Sequence, residues 1–125
     1  MYSLGVRREF RARHYLIGGD WGQENLEHVH HYRLELILEA TSLDRHGFLV
    51  DIVEVERHLD EVVAGFKDKT LNALPVFTEL NPSIERLATV INDAFKQRLA
   101  HLPLCALAVT IWEDDIAWTS YRVSL

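Results

Sequence analysis

Three histidines of this 125-residue chain have the type and spacing of a metal site. His28 and His30 stand two residues apart in a segment of alternating polar and apolar residues, so both imidazoles leave one face of a predicted strand. His14 ends an earlier alternating segment, and a hairpin between the two segments would bring its ring beside the others. Three neutral imidazoles suit Zn²⁺ and leave a fourth coordination position, where the ion can polarise a substrate oxygen.

The same spacing has a simpler interpretation. An H-x-H pair often arises by chance on a strand, and a histidine at a strand end is commonly a surface or hydrogen-bonded residue. The adjacent His31 leaves the opposite face and is predicted to be structural. His46, His58 and His101 fall in a turn, on a helix and near a helix end, where we expect solvated or capping residues. Spacing alone leaves both interpretations open.

The elements that position these histidines follow from the hydrophobic periodicity. Phe10–His14 and His28–Leu38 alternate with a period of two and predict strands, separated by a glycine-containing loop at residues 18–25. After a turn at residues 44–47, the spacing changes to three and four, which predicts an amphipathic helix. Its buried face would hold Ile52, Val55, Leu59, Val62, Val63 and Phe66.

A second helix is predicted to begin at residues 81–83. Asn81 would cap free backbone N–H groups, and Pro82 would occupy the first helical position. Leu102-Pro103 would stop the helix. Its buried stripe would be Ile84, Leu87, Ala88, Ile91, Ala94, Phe95 and Leu99.

The chain then returns to strand periodicity. Residues 106–112 and 116–123 predict two strands joined by a tight turn at residues 113–115. The order ββααββ predicts an α+β fold, with a four-stranded antiparallel sheet and two helices on one face. Exposed edge strands favour pairing with another copy of the chain, so we expect a homo-oligomer in which sheets join into a barrel.

Composition narrows the class of protein. The length fits one domain spanning residues 1–125, and 48% hydrophobic with 26% charged residues predicts a folded, soluble domain. A formal net charge of -6 argues against non-specific binding to nucleic acid or an anionic membrane. Cys105 is the only cysteine, which excludes an internal disulfide. The chain has no apolar run of membrane-spanning length and its start lacks a signal-peptide core, so we expect a cytoplasmic protein.

Several short motifs, in order along the chain, resemble those of the 6-pyruvoyl-tetrahydropterin synthase / 6-carboxy-tetrahydropterin synthase family. F-x-A-x-H is followed by a loop and H-x-H, and Glu113 falls where that family's penultimate strand ends in a glutamate. No single block is decisive, but their order and spacing together are specific. The blocks are Phe10–His14, His28–His30, Gly47–Asp51, Leu71-Asn72 and Asn81–Ala88.

The resemblance implies a T-fold enzyme that binds one zinc ion, here through His14, His28 and His30. It implies a hexamer of two stacked trimers, with active sites between subunits, and 7,8-dihydroneopterin triphosphate as substrate. Glu113 would accept hydrogen bonds from the amino and ring N–H groups of the pterin; the alternative for this residue is a solvated charge at a strand end. The product stays open, and with it the pathway: a modified tRNA base such as queuosine, tetrahydrobiopterin or a folate precursor.

The chain departs from the family pattern at the residues that move protons. Glu24, with Glu27 as the competing carboxylate, stands where the family carries a catalytic cysteine, and Val29 replaces the glycine of H-G-H. Lys67-Asp68 stands where the family has Asp-His. A carboxylate with a suitable pKa can replace a thiolate base, so we predict Glu24 as the catalytic base, with Asp68 and Lys67 assisting. Lys67 and Asp68 could equally be a solvated pair.

Two other functions remain open at this stage. A diverged, non-catalytic pterin or purine binder would keep the scaffold and the metal. Alternatively, the histidines could be purely structural on the same scaffold. Cys105 begins a predicted core strand far from the loop that carries Glu24, so packing is its expected role.

Overall fold

Four strands and two helices follow the predicted ββααββ order in a computed structural model that describes residues 1–125. Short 3₁₀ turns occur at Gly22–Asn25, Leu71–Ala73 and Pro75–Phe77. Neither helix has the length and apolar character needed to cross a membrane. The elements are β1 (Tyr2–His14), β2 (His28–Ala40), α1 (Ile52–Ala64), α2 (Ile84–Arg98), β3 (Ala106–Trp112) and β4 (Trp118–Ser124).

The four strands form one antiparallel sheet in chain order, as predicted. β1 and β2 pair along their whole length, from Tyr2 opposite Ala40 to His14 opposite His28. β1 begins eight residues before the predicted Phe10 (10 − 2), because Leu4 and Val6 continue the alternation of its inward face. The register places the end of β1, the start of β2 and the end of β3 at one end of the sheet.

Both helices cover the same face of the sheet. Inward residues of β1 and β2, such as Phe10 and Leu34, join one hydrophobic core with Leu59 of α1 and Leu87 of α2. The opposite face is polar, and Arg7 there forms an ion pair with Glu35 on the neighbouring strand. One hydrophobic core, between the sheet and the two helices, therefore stabilises the fold, and the other face of the sheet has no helix packed on it.

Helix α1 follows the predicted stripe except at its start. The Asp51 side chain caps the helix by accepting a hydrogen bond from the Val53 N–H at 3.0 Å. The prediction that Ile52 is buried is wrong, because at the first helical position its side chain is 47% exposed. Phe66 is buried as expected but lies just beyond Gly65, which ends the helix.

Helix α2 begins two residues later than its sequence motif suggested (83 − 81). Ser83 is the N-cap, and its hydroxyl accepts a hydrogen bond from the Arg86 N–H at 3.2 Å. The predictions that Asn81 caps this helix and that Pro82 occupies its first position are therefore wrong. The Asn81 amide instead hydrogen bonds to the backbone of Ile17. The predicted stripe of α2 packs into the core, with Ala94 only partly buried.

Candidate functional site

The register of the first hairpin brings the three predicted histidines together. His14 lies directly opposite His28, and the small Ala12 lies opposite His30, which leaves room for the rings. All three side chains project from the face of the sheet that the helices cover, and His14 is 3% exposed. The ring centroids are 4.6 Å apart for His14 and His28, 4.8 Å for His14 and His30, and 4.7 Å for His28 and His30.

Backbone carbonyl groups orient two of these rings. The Nδ1 atom of His14 lies 3.2 Å from the carbonyl oxygen of Pro82, and the Nδ1 atom of His28 lies 2.7 Å from that of Leu26. Each carbonyl accepts an N–H, so Nδ1 carries the proton and Nε2 is left as the free electron-pair donor. The Nε2 atoms of His28 and His30 are 3.0 Å apart. Hydrogen bonds from Nδ1–H to a backbone carbonyl orient the histidine ligands of protein metal sites in this way.

The donor set fits a divalent metal ion such as Zn²⁺. The Nε2 atom of His14 is buried and has no hydrogen-bond partner, which is costly for a polar atom unless a ligand satisfies it. Burial lowers the pKa of His14, which keeps its ring in the neutral form that binds metals. One atom from each of His14, His28, His30 and Glu24 lies within 4.8 Å of the others. Three imidazoles are a ligand set of catalytic zinc sites, which keep a fourth position open.

Of the two candidate glutamates, Glu24 lies beside the histidines. The 3₁₀ turn Gly22–Asn25 carries it, and its carboxylate is 3.0 Å from the Nε2 atom of His28. Glu27 points elsewhere, and its carboxylate accepts a hydrogen bond from the Thr70 hydroxyl. Both residues are exposed, so burial does not distinguish them. Their different positions follow from the 3₁₀ turn, which includes Glu24 and ends before Glu27.

Glu113 reaches the same cluster from the end of β3. Its carboxylate lies 2.9 Å from the Nε2 atom of His30 and 3.8 Å from that of His14. The hydrogen bond between Glu113 and His30 lowers the pKa of Glu113 and raises the pKa of His30. Glu113 is thus a partly buried, engaged carboxylate and not a solvated charge at a strand end.

A cavity of about 590 Å³ opens beside the histidines. Its volume lies in the range of about 300–1,000 Å³ that is usual for small-molecule sites. Its walls combine carboxylates with apolar side chains and the start of α2. The lining residues include His14, Leu16, Glu24, His30, Ser83, Glu113 and Trp118.

A comparison with protein-family models assigns the chain to a known family. The family model for 6-pyruvoyl tetrahydropterin synthase matches residues 3–124. The chain belongs to this family. The 6-pyruvoyl tetrahydropterin synthase family consists of lyases that act on pterins, and the resemblance seen in the sequence motifs is therefore confirmed. No curated protein matches the chain in a sequence search.

Solved 6-pyruvoyl tetrahydropterin synthases share the fold. The Caenorhabditis elegans protein has a TM-score of 0.83 at 19% identity, with 98% of this chain and 96% of that chain covered. A Plasmodium vivax protein has a TM-score of 0.83 at 13% identity, with 99% and 98% covered. A P. vivax variant whose catalytic glutamate is replaced by alanine has a TM-score of 0.82 at 12% identity, with the same coverage. The predicted T-fold is confirmed.

The remaining predicted residue pair lies outside the cluster. Lys67 and Asp68 follow α1 and run along the outer edge of β1, where the Asp68 N–H donates to the Arg11 carbonyl at 2.6 Å. Both side chains are exposed, and Asp68 has a φ of 60°, in the left-handed region that aspartate tolerates. Within one chain, therefore, these two residues do not meet the histidines.

The structure also locates three other residues that the sequence analysis discussed, Val29, Cys105 and His58. Val29 points away from the three histidines and is exposed, so the site does not exclude its side chain. Cys105 lies one residue before β3, at the opposite end of the sheet. His58 is not solvated as expected, because its side chain is 12% exposed between Glu54 and Arg98.

Sequence reasoning missed the residues that support the site. The carbonyl of Pro82 and the amides of Asn25, Asn72 and Asn81 hold the histidine rings or the loop that carries Glu24. Two of these asparagines belong to the L-N and N-P motifs, so the residues themselves were singled out. The contacts of Asn72, Asn81 and Pro82 are long-range in sequence, and no local pattern shows them.

Proposed function

We propose that this protein is a zinc-dependent lyase that acts on the side chain of 7,8-dihydroneopterin triphosphate, as a 6-pyruvoyl- or 6-carboxy-tetrahydropterin synthase-like enzyme. The observation that carries the proposal is the convergence of His14, His28 and His30 with the Glu24 carboxylate within 4.8 Å. The family supplies the pterin class of substrate. The cavity beside the cluster has the volume for one such heterocycle.

Glu24 is the general base in this proposal. Its carboxylate lies at the rim of the histidine cluster, within reach of a substrate atom held there. A carboxylate can take a proton from a side-chain carbon or hydroxyl if the acidity of that group is increased. The P. vivax enzyme has a glutamate as a catalytic residue, which supports a glutamate in this role here.

The other residues bind and orient the substrate. Zinc held by His14, His28 and His30 would supply Lewis acidity toward the side-chain hydroxyls. Glu113 lines the cavity, and its two oxygens can accept hydrogen bonds from the amino and ring N–H groups of a pterin. Trp118 and Leu16 line the same cavity and offer apolar surface to the ring.

Lys67 and Asp68 would assist from a neighbouring subunit. They lie on the outer edge of β1, where β1 ends the sheet, so an adjoining copy of the chain is the nearest candidate to meet them. We propose a hexamer of two stacked trimers with the active sites between subunits. In that assembly Asp68 would move protons and Lys67 would donate a proton or bind phosphate.

The experiment is incubation of zinc-loaded protein with 7,8-dihydroneopterin triphosphate, followed by identification of the products. We expect consumption of the substrate by the wild type, and a loss of about 100-fold or more in kcat for Glu24→Gln with zinc content unchanged. Glu27→Gln is the matched control, since it makes the same charge change three residues away (27 − 24) and its carboxylate contacts Thr70. Equal losses in the two variants would contradict the role of Glu24.

The absence of the family's cysteine and of its Asp-His pair favours one second candidate, a non-catalytic pterin or purine binder on the same scaffold. It predicts tight binding of the pterin to the zinc-loaded wild type without turnover. Long incubation that leaves the triphosphate unchanged, with saturable binding measured by fluorescence, would support this function and exclude the lyase.

A further inference from the structure

Residues 15–17, which follow β1, have every backbone polar group engaged although they belong to no strand. The Tyr15 N–H donates to Oδ1 of Asn72 at 3.0 Å, and the Tyr15 carbonyl accepts from Nδ2 of the same amide at 2.9 Å. Asn81 repeats this arrangement on Ile17, at 2.7 Å and 3.1 Å. Each amide thus replaces one residue of a partner strand, with one acceptor and one donor.

The residue between them connects the segment to the loop that carries Glu24. The Leu16 N–H donates to the backbone carbonyl of Glu24 at 2.9 Å, and the Leu16 carbonyl accepts from Nδ2 of Asn25 at 3.0 Å. Asn25 also holds its own loop, since its side chain bonds the Gly19 carbonyl at 3.0 Å and the Trp21 N–H at 2.7 Å. The Glu24 backbone is therefore tied to a segment that begins one residue after His14.

Asn81 acts on both sides of the site. Its side chain holds Ile17, and the next residue, Pro82, accepts the Nδ1–H of His14 through its carbonyl at 3.2 Å. A displacement of the 81–82 backbone would move the His14 ring and the loop of Glu24 together. Hydrogen bonds to otherwise free loop backbone are what fix such a geometry, because a segment of this kind has no ladder to hold it.

We propose that Asn25, Asn72 and Asn81 are positioning residues that keep the carboxylate of Glu24 at its working distance from His14. The inference rests on the proposed function for its catalytic consequence. None of the three amides contacts the cavity's reacting region, so they act through Leu16, the Glu24 backbone and Pro82. Outer contacts of this kind typically change metal affinity or activity by about 10- to 100-fold.

The test compares Asn72→Ala and Asn81→Ala with Asn92→Ala. Asn92 is the matched control, because its buried amide also bonds two backbone carbonyls, those of Leu107 and Tyr121, away from the site. Thermal midpoint, zinc affinity and kcat with KM are measured for each full-length variant. If Asn81→Ala fails to fold, Asn81→Asp replaces it, since it keeps the acceptor for the Ile17 N–H.

We expect Asn81→Ala to lower zinc affinity and kcat by about 10- to 100-fold, with KM changed less than kcat, and Asn72→Ala to lower kcat mainly. Asn92→Ala should lower the thermal midpoint but leave zinc affinity and kcat within about twofold of the wild type. Changes that follow the thermal midpoint equally in all three variants would overturn the inference. So would Asn72 and Asn81 variants with wild-type zinc affinity and kcat.

The proposed function and this inference fail in different ways. A wild-type protein without turnover, combined with a selective loss of zinc affinity in Asn81→Ala, would overturn the lyase and support the positioning role. An active wild type whose Asn72 and Asn81 variants remain fully active would support the lyase and overturn the positioning role.

Discussion

The chemistry of this protein depends on which ring nitrogen of each histidine is free. Pro82 and Leu26 use their carbonyls to hold the Nδ1 atoms of His14 and His28, and this leaves the Nε2 atoms facing the cluster. The burial that lowers the pKa of His14 acts in the same direction, since it favours the neutral ring. Glu113 then offers a carboxylate at the cluster from a separate strand.

At this scale we expect the double variant His28→Ala with His30→Ala to lose its zinc. Removal of two of three imidazoles leaves too few ligands for a stable site, so zinc should fall from about one ion per subunit to near zero. Metal analysis of the purified protein measures this. His31→Ala is the control, because His31 leaves the opposite face of β2 and pairs with Glu9. Unchanged zinc in the double variant would remove the metal site.

At the scale of elements, both helices pack against one face of the sheet, and the histidines lie at one end of that sheet. Arg8 on β1 reaches Asp60 on α1 with an Nε–Oδ1 distance of 2.7 Å, and so joins the first strand to the first helix. The start of α2 contributes Pro82 and Ser83 beside His14. A displacement of the backbone at the start of α2 would therefore disturb the His14 ring without a change to any histidine.

The Arg8–Asp60 contact predicts an acid-dependent part of the stability. The hydrogen bond from Arg8 lowers the pKa of Asp60 in the folded chain. Its contribution is therefore present above the unfolded pKa of about 3.9 and is lost as pH falls through the lower folded pKa. At pH 6 we expect the unfolding free energy of the wild type to exceed that of Asp60→Asn, but by under about 1 kcal/mol because the pair is exposed. At pH 2–3 this difference should be smaller than at pH 6.

Denaturant unfolding across this pH range measures the difference. The matched control is Asp93→Asn, because Asp93 is an exposed carboxylate of α2 without an ion pair or hydrogen bond. Its difference from wild type should stay nearly constant with pH. A gap between wild type and Asp60→Asn that widens as the solution is acidified would contradict the expected sign.

At the scale of the whole molecule, the sheet ends in two unprotected edges. β1 and β4 are the terminal strands, and only the end of β1 is covered, by the Lys67–Thr70 segment. Open edges of this kind pair with other chains unless they are blocked. The exposed residues Lys67 and Asp68, whose catalytic role is a proposal, lie on one of these edges and outside the histidine cluster of their own chain.

If active sites are shared between subunits, two inactive variants should complement each other. We expect mixed oligomers of Glu24→Gln and Asp68→Asn, formed by partial unfolding and refolding together, to regain a measurable fraction of kcat, because some sites receive both intact residues. A mixture of Glu24→Gln and His28→Ala is the control, since both residues lie in one chain's cluster and no intact site can form. Activity that stays absent in the first mixture, or returns in both, would contradict the shared site.

The sequence determined the order of elements and pointed to most residues of the candidate cluster. Periodicities of two and of 3.6 predicted ββααββ, and the H-x-H spacing put His28 and His30 on one face before any contact was known. The predicted start of α2 at Asn81 and Pro82 was wrong. Their motif resembles a helix cap, but the Asn81 amide hydrogen bonds to the backbone of Ile17. Glu24 and Glu27 could not be told apart, since both are exposed and their difference lies in one 3₁₀ turn.

Tertiary structure alone decided which groups meet. His14 faces His28 only because β1 and β2 pair in one register, and a slip of one residue between them would put His14 and the two β2 histidines on opposite faces of the sheet. The contact between Glu113 and His30, and the hydrogen bonds of Asn72 to Tyr15 and of Asn81 to Ile17, join positions 57–83 residues apart along the chain. Side-chain pattern sets which face a residue takes, but contacts across such separations depend on strand register and packing, which no local pattern contains.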